Sequence, residues 1–328
     1  MTEKKVLVTG ATGFTGGKVA ERLVAMGDDV VAFVRASSNT AALEALGVEC
    51  RVVDIRAAAD VAENFADIGK VFHIAAAYRS EHADHAEFVA VNVEATRNLL
   101  DSAVRAGVDR FVHCSTVGVQ GEIEDPPAAE DYRFNPGDHY QQSKLDGELL
   151  ALQYFRDGLP GCVVRPVGIY GPGDTRFLKL FKPIQKGQFI MIGKGDVLYH
   201  MTYIDDLVDG FMLAGEKTAA LGEVFTIAGP QYTTIRELVD AIADVLDKPH
   251  PRLRVPFTPV YLASVVCDRL FRAVNLSPPL YPRRVEFFEL DRAFSTAKAE
   301  QALGYSPKVS LADGLARTAA WYREQGLI

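Results

Sequence analysis

The stretch YQQSK sets Tyr140 and Lys144 four residues apart. On a helix, that spacing sends both side chains from one face toward one small volume. A phenol titrates near about 10 and is by itself a poor acid or base at neutral pH. A neighbouring ammonium favours the phenolate and brings proton transfer within reach. A second feature closes the run RFVHCST, where Ser115 and Thr116 stand together. If that run is a strand, the two hydroxyls lie at its carboxyl end, able to hydrogen-bond an oxygen whose charge changes during a reaction. The chemistry on offer is proton transfer to or from an alcohol or carbonyl oxygen. A tyrosine and a lysine at this spacing also recur by chance, so the reading depends on the elements that carry them.

Those elements follow a regular pattern. KVLVTG, DVVAFVR, CRVVDI, KVFHIA and RFVHCST are short β-rich runs, and GCVVRPV and EVFTIAG continue the series. Helical patterns lie between them. GKVAERLVAMG carries Val19, Leu23 and Met26 at helical spacing with Gly27 as a stop, TAALEALG is short, and the longest covers roughly residues 83–106. No hairpin signals join these strands. The alternation predicts right-handed βαβ crossovers and an α/β fold, a Rossmann-type doubly wound parallel sheet. From about residue 171 the pattern is less regular and is punctuated by prolines. The expected division is a dinucleotide-binding domain over residues 1–170 and about 200–228, with a smaller, mostly helical substrate lobe over about 171–199 and 229–328.

At the first βα junction, TGATGFTGG places Gly10, Gly13 and Gly16. Glycines there let the chain turn tightly and let a diphosphate approach main-chain N–H groups at a positive helix end. The other reading is a glycine-rich turn without a ligand. The end of the second strand reads FVRASS, with no carboxylate for an adenosine ribose. Arg35, with Ser37 and Ser38 close by, either pairs with a 2′-phosphate, which favours NADP over NAD, or is a solvated surface arginine. Asp54, after the third strand, either accepts a hydrogen bond from an adenine amino group or caps the next helix.

Bulk properties set limits. A chain of 328 residues suits one large domain or two closely joined ones. A formal net charge of −8, without blocks of like charge, leaves no basic face for nucleic acid. Four scattered cysteines suggest reduced thiols and no metal site. MTEKKVLVTG lacks an apolar core of signal-peptide length, and VYLASVVC is too short to span a bilayer. These features predict a soluble, cytoplasmic protein with no membrane span.

In combination the motifs resemble the extended short-chain dehydrogenase/reductases, the NAD(P)-dependent epimerase/dehydratase group. The resemblance runs through TGATGFTGG, FHIAAAY, NVEATRNLL, HCSTVGVQG, YQQSK, RPVGIYGPGD, YIDDLVDG and KAEQALGYSPKVSLADGLARTAAWY, essentially the whole chain. It implies Tyr140 as general acid/base, Lys144 as its partner, Thr116 as the active-site hydroxyl and Asn92 as a fourth catalytic position. It implies dinucleotide contacts at Gly10, Thr12, Gly13, Phe14, Thr15, Gly16, Arg35, Asp54, Ile55, Ala75, Ala76, Ala77, Ser115, Tyr140, Lys144, Pro166 and Gly168. It further implies a homodimer paired through helices near 83–106 and 138–157. Cys114 reads as core. His73 and His113 read as satisfied strand histidines, and His82 with His85 lacks the partners of a metal site.

Within the group, Val117 and Gly118 follow Thr116 where dehydratases resemble STDE, so elimination with a local carboxylate is not expected. Sugar-nucleotide members tend to carry asparagine at the place of Gly168 and arginine just ahead of the YIDDL-like element, where this chain has Tyr199 and His200. VPFTPVYLASVVCDRLFRAV is either a helix packed on its own lobe or a lid over an apolar substrate. This segment and RPVGIYGPGD resemble the sterol-dehydrogenase and dihydroflavonol-reductase branches. The expected function is hydride transfer at a secondary alcohol or ketone of a mainly apolar small molecule, with NADP preferred and NAD possible. One alternative is a UDP-sugar 4-epimerase with tightly bound NAD; another is a non-catalytic NAD(P)-binding sensor.

Overall fold

The computed structural model describes residues 4–78, 85–273, 276 and 278–328. His82 and the first two residues of the helix expected over 83–106 lie outside them. The first half runs β1 (Lys5–Thr9), α1 (Phe14–Met26), β2 (Val30–Val34), α2 (Ala41–Ala45), β3 (Glu49–Val52), α3 (Ala58–Glu63) and β4 (Ile68–His73). It continues with α4 (His85–Val89), a π-helical turn (Ala90–Glu94), α5 (Ala95–Ala106), β5 (Arg110–Cys114), α6 (His139–Arg156) and β6 (Gly161–Pro166). Every strand foreseen in this half forms. Val6 and Val8 pack in one core cluster with Val19 and Leu23 of α1, and Leu7 packs in another with Leu99 and Leu100 of α5. A strand that buries both faces reads as a continuous apolar run, as Val6-Leu7-Val8 does here. The stop read at Gly27 is a left-handed cap at φ +92°, its N–H reaching Leu23 O and Val24 O.

After β6 come β7 (Gly168–Tyr170), α7 (Leu178–Gln185), β8 (Met191–Ile192), β9 (Leu198–Tyr203), α8 (Ile204–Glu216) and β10 (Val224–Ile227). β11 (Tyr232–Thr234), α9 (Ile235–Val245), β12 (Arg254–Val255), α10 (Phe257–Ala273), α11 (Pro282–Glu286), α12 (Ala297–Leu303) and α13 (Leu311–Glu324) complete the described chain. Seven parallel strands form the main sheet in the order β10-β6-β5-β4-β1-β2-β3. The order reverses between β1 and β4. A crevice must open where the connections leave those two strands in opposite directions, at their carboxyl ends. Two small sheets, β11-β9-β7 and β12-β8, add to the helices of the later half. Apart from the six-residue β9, their strands are two or three residues long, too short to show a period of two in the sequence.

Candidate active site

The crevice opens into one cavity of about 2200 Å³. Pockets for single small molecules run to roughly 300–1,000 Å³, so this one has room for two ligands end to end. Of the residues expected to be catalytic or to contact a dinucleotide, all but Asn92 line it.

The glycine loop builds one end. Gly10 sits at φ +73°, and a Cβ there would lie 2.8 Å from Ala75 N. A Cβ on Gly16 would lie 2.2 Å from Gly10 O. The loop is closed by Gly13 N–H donating to Gly10 O at 2.9 Å. No side chain caps the N-terminus of α1, and its first turn holds no acidic residue. Main-chain N–H groups therefore face the cavity with an uncompensated positive helix end, which suits a diphosphate. Thr12, Phe14 and Thr15 line the same wall, with Ala75, Ala76 and Ala77 behind β4 opposite.

Beyond the loop, Arg35 is exposed at the cavity edge, and its side chain has no polar partner among the described residues. Ser37 and Ser38 line the cavity beside it. Asp54 lines the cavity, does not cap α3, and is engaged by Arg56. α3 begins at Ala58 with Ala57 in the cap position, so Asp54 is not the cap. Its carboxylate accepts from Arg56 N at 3.0 Å, Nε at 2.9 Å and a terminal nitrogen at 2.7 Å. Arg56 lowers its pKa accordingly. Ile55 adds an apolar contact surface next to it.

The reactive end lies where β5, β6 and α6 meet. Asp138 starts α6 by accepting from Gln141 N at 2.7 Å, which fixes the first turn that carries Tyr140. Tyr140 is half-buried, its ring meeting Tyr78 edge to face at 5.0 Å and Phe88 at 6.1 Å. One turn on, Lys144 is buried and its Nζ donates to Cys114 O at 2.6 Å. Burial lowers the lysine's pKa, with Cys114 and Glu148 opposing that shift. Cys114 is the half-buried core residue expected, its thiol pushed up to about 11 by burial. Thr116 Oγ1 accepts from Gly118 N at 3.1 Å and caps the 3₁₀ turn Val117–Gln120, leaving its O–H free to donate into the cavity. Ser115 Oγ is buried with no partner among the described residues, and it too lines the cavity. A ligand that supplies a partner would relieve that cost.

Asn92, expected as a fourth catalytic position, does not line the cavity. It is buried at the π turn, accepts from Ala77 N at 2.8 Å, and donates to Ala77 O at 3.2 Å and Ser143 Oγ at 2.9 Å. Ser143 in turn donates to Tyr140 O at 2.9 Å. Both side-chain polar atoms are engaged, and they tie the loop after β4 to α6. A related chain runs through His73. Thr9 Oγ1 accepts from Ile74 N and Ala75 N, so its proton goes to His73 Nδ1 at 2.8 Å. His73 Nε2 then donates to Thr96 Oγ1 at 2.9 Å, and Thr96 donates to Asn92 O. His73 is satisfied, as expected. His113 is not, since neither ring nitrogen has a partner among the described residues. Burial, then the charge of Lys144, holds its pKa well below the ordinary value and keeps it neutral.

The substrate end adds residues not anticipated. Arg176 lines the cavity, donates to Asp174 and to Ile169 O, and lies 5.7 Å from the Phe14 ring. Its only sequence signal is its place behind YGPGDT. At Gly168, a Cβ would lie 2.7 Å from the Tyr199 hydroxyl oxygen, so Tyr199 fills the space a side chain would need. His200 is buried, its ring nitrogens 3.1 Å from Phe294 O and 3.0 Å from Gly229 O, and cannot serve as a substitute anion contact. Among the described residues no group of histidine, cysteine and carboxylate side chains could hold a metal ion.

A doubly wound sheet whose switch point holds a glycine cradle and a Tyr–Lys pair defines a dinucleotide-dependent oxidoreductase of the extended short-chain type. The chain belongs to the NAD dependent epimerase/dehydratase family, whose model matches residues 6–228. It is 33% identical to a 3 beta-hydroxysteroid dehydrogenase/Delta 5-->4-isomerase of Mycobacterium tuberculosis, over 97% of this chain and 90% of that one. It is 29% identical to sterol demethylase protein B of Methylococcus capsulatus, over 98% and 99%. In structure it resembles the UDP-glucuronic acid 4-epimerase of Bacillus cereus in complex with NAD, with a TM-score of 0.78 and 25% identity over 98% and 99% of the two chains.

Proposed function

We propose that this enzyme is an NADP(H)-preferring dehydrogenase/reductase that acts on a secondary alcohol or ketone of a mainly apolar small molecule. The observation that carries the substrate class is the Tyr199–Gly168 contact. Where sugar-nucleotide members tend to carry an asparagine, position 168 has no side chain and the hydroxyl end of the Tyr199 ring takes up the space. Phe177, Phe257, Tyr261 and Phe287 line the same end of the cavity and support an apolar ligand. The steroid and sterol names of the relatives agree with this reading.

The bound dinucleotide would supply the hydride acceptor or donor, its diphosphate held at Gly10, Gly13 and Gly16. Tyr140 exchanges the proton with the substrate oxygen. Lys144 favours the phenolate and holds the ribose in place of Cys114 O. Thr116 donates to the substrate oxygen and fixes its lone pair toward Tyr140. Ser115 Oγ, which has no partner among the described residues, would take one from the cofactor, and Pro166 and Gly168 would line its site. Arg35 would pair with a 2′-phosphate, and the lack of a polar partner for its side chain among the described residues supports that role.

Homodimer formation through α4–α5 and α6 belongs to the same proposal, supported by the exposure of Val104 and Leu149 on those helices. So do the division into a dinucleotide domain and a substrate lobe, and residence in the cytoplasm. The second reading, a UDP-sugar 4-epimerase with tightly held NAD, draws on the Bacillus cereus neighbour and on Arg176, Arg284 and Arg292 at the cavity wall. Fluorescence titration with NADPH and NADH, followed by turnover assays on a panel of hydroxysteroids and UDP-sugars, separates the two. The expected result is tighter NADPH binding and turnover of an apolar alcohol. Interconversion of UDP-sugars without net cofactor turnover overturns the substrate assignment, and preference for NADH overturns the role of Arg35.

A further inference from the structure

We propose that Arg176 clamps the diphosphate of the dinucleotide from the side opposite the glycine loop. Arg176 belongs to the turn between β7 and α7, on the substrate side of the cavity. Its guanidinium nevertheless lies 5.7 Å from the centre of the Phe14 ring, inside the range of about 6 Å over which an aromatic face attracts a cation. The backbone of the same turn comes just as near, since a Cβ on Gly173 would lie 3.2 Å from Phe14 Cδ2. Phe14 is the first residue of α1, the helix whose N-terminus no side chain caps. An anion seated on that helix end lies beside the guanidinium and meets positive charge from both sides.

The side chain is held in that pose. Arg176 Nε donates at 2.5 Å to Oδ1 of Asp174, which is only 2% exposed, and Nη2 donates to Ile169 O at 3.0 Å. A guanidinium carries five N–H groups in a rigid fork. Asp174 and Ile169 take two of them; both on Nη1 and one on Nη2 have no partner among the described residues. A fork presented in this way suits two phosphate oxygens at once. Other cations at the cavity wall are spent elsewhere. Arg56 pairs with Asp54, and Lys144 donates to Cys114 O. Among the described cations that line the cavity, Arg176 alone meets a side chain of the glycine loop.

The inference rests on the dinucleotide reading of the site, and on neither the NADP preference nor the substrate class. The diphosphate of a nucleotide sugar offers the same chemistry from the substrate side. The contact with Phe14 favours the cofactor's diphosphate, because it sets the guanidinium at the helix end that the glycine loop opens.

The test is calorimetric titration of the full-length protein with ADP-ribose, which carries the diphosphate but neither nicotinamide nor substrate, and with adenosine, which carries no phosphate. Arg176→Ala is expected to weaken ADP-ribose binding by roughly tenfold to a hundredfold, the loss of a charge-assisted hydrogen bond, and to leave adenosine binding within about twofold. The difference between wild type and variant is expected to shrink as salt is raised. Alanine leaves Asp174 buried without its partner, so Arg176→Lys carries the test should the alanine variant fail to fold by circular dichroism. Lysine keeps the charge but not the fork, and its expected loss for ADP-ribose falls between those of wild type and alanine. The proposal is overturned if the folded variants bind ADP-ribose as tightly as wild type does. It is overturned too if ADP-ribose and adenosine weaken together, the mark of a merely structural role. Intact ADP-ribose affinity with a loss confined to UDP-sugars overturns it in favour of a substrate contact. Wild type that binds neither ADP-ribose nor NAD(P)H removes the dinucleotide reading and the proposal with it, whereas unchanged variants of a wild type that binds both sink the proposal alone.

Discussion

Replacing Gly16 by alanine tests whether the glycine loop is a ligand cradle or only a turn. The new Cβ would sit 2.2 Å from Gly10 O and 2.6 Å from Gly10 C, and ordinary contact begins near 3.4 Å. The carbonyl must therefore retreat by about 1.2 Å, and Gly10 has little room to give, because the Ala75 main chain packs directly against its Cα, 2.8 Å from where a Cβ would stand. A misplacement of that size at a positioned group costs roughly a hundredfold, or about 2.7 kcal/mol of dinucleotide binding. Overpacking costs about 1–3 kcal/mol of folding stability besides. Gly27→Ala at the other end of α1 is the control. Gly27 is at φ +92° with nothing within 4 Å of its would-be Cβ, so alanine there pays only the left-handed strain, about 1–2 kcal/mol. Both variants should melt earlier than wild type, but only Gly16→Ala should lose affinity in a nucleotide fluorescence titration. Equal affinity in the two variants would refute the cradle and leave an ordinary turn.

Two further outcomes follow from the reactive end and its support. Tyr140→Phe keeps the ring contacts to Tyr78 and Phe88 but removes the proton donor. Turnover should fall by about 10²–10⁴-fold while nucleotide affinity stays within about twofold of wild type; intact turnover would exclude Tyr140 from the mechanism. His73 concerns acid stability. Burial, then the charge of Lys144, lowers its pKa to about 3, against an ordinary value of 6.5. Between those values the unfolded chain binds a proton that the folded chain refuses. Stability is therefore highest above pH 6.5 and falls as the pH drops through that window, by about 1.4 kcal/mol per pH unit for this one group. Urea unfolding at two pH values in that window should show a shallower dependence for His73→Gln than for wild type; an identical slope would show that this ring is not the source.

The parts of the site legible in the sequence are those fixed by backbone proximity or by helix geometry. Gly10 and Gly16 must be glycine because main chain lies where a Cβ would go, and Tyr140 and Lys144 must differ by four because one helix carries both. Residues joined only by the tertiary fold left no such trace. Asn92 acts through Ala77 and Ser143, which are 15 and 51 residues away, and the π turn that presents it has no period of its own. Asp54 could be read as a cap or a ligand because both are local roles. The competitor that holds it, Arg56, was in plain view, but two flexible side chains gave no geometric reason to pair them. The strands β7, β8, β11 and β12 were too short for any periodicity to declare them.

The two ends of the cavity differ in the same respect, and this explains why the cofactor is easier to infer than the substrate. The dinucleotide end is made by loops that each follow a strand of one sheet, so its residues occur at predictable places in the chain. The substrate end is made where β7, β9, α7 and α10 converge from separate stretches. There, the identity of one residue answers to another far along the chain. A Cβ at position 168 would lie 2.7 Å from the Tyr199 hydroxyl oxygen and 3.1 Å from its Cζ, so the small residue at 168 and the tyrosine 31 positions later fit each other only once the chain has folded. A side chain at 168 would oblige Tyr199 to shift, and nothing in either local stretch of sequence announces that dependence.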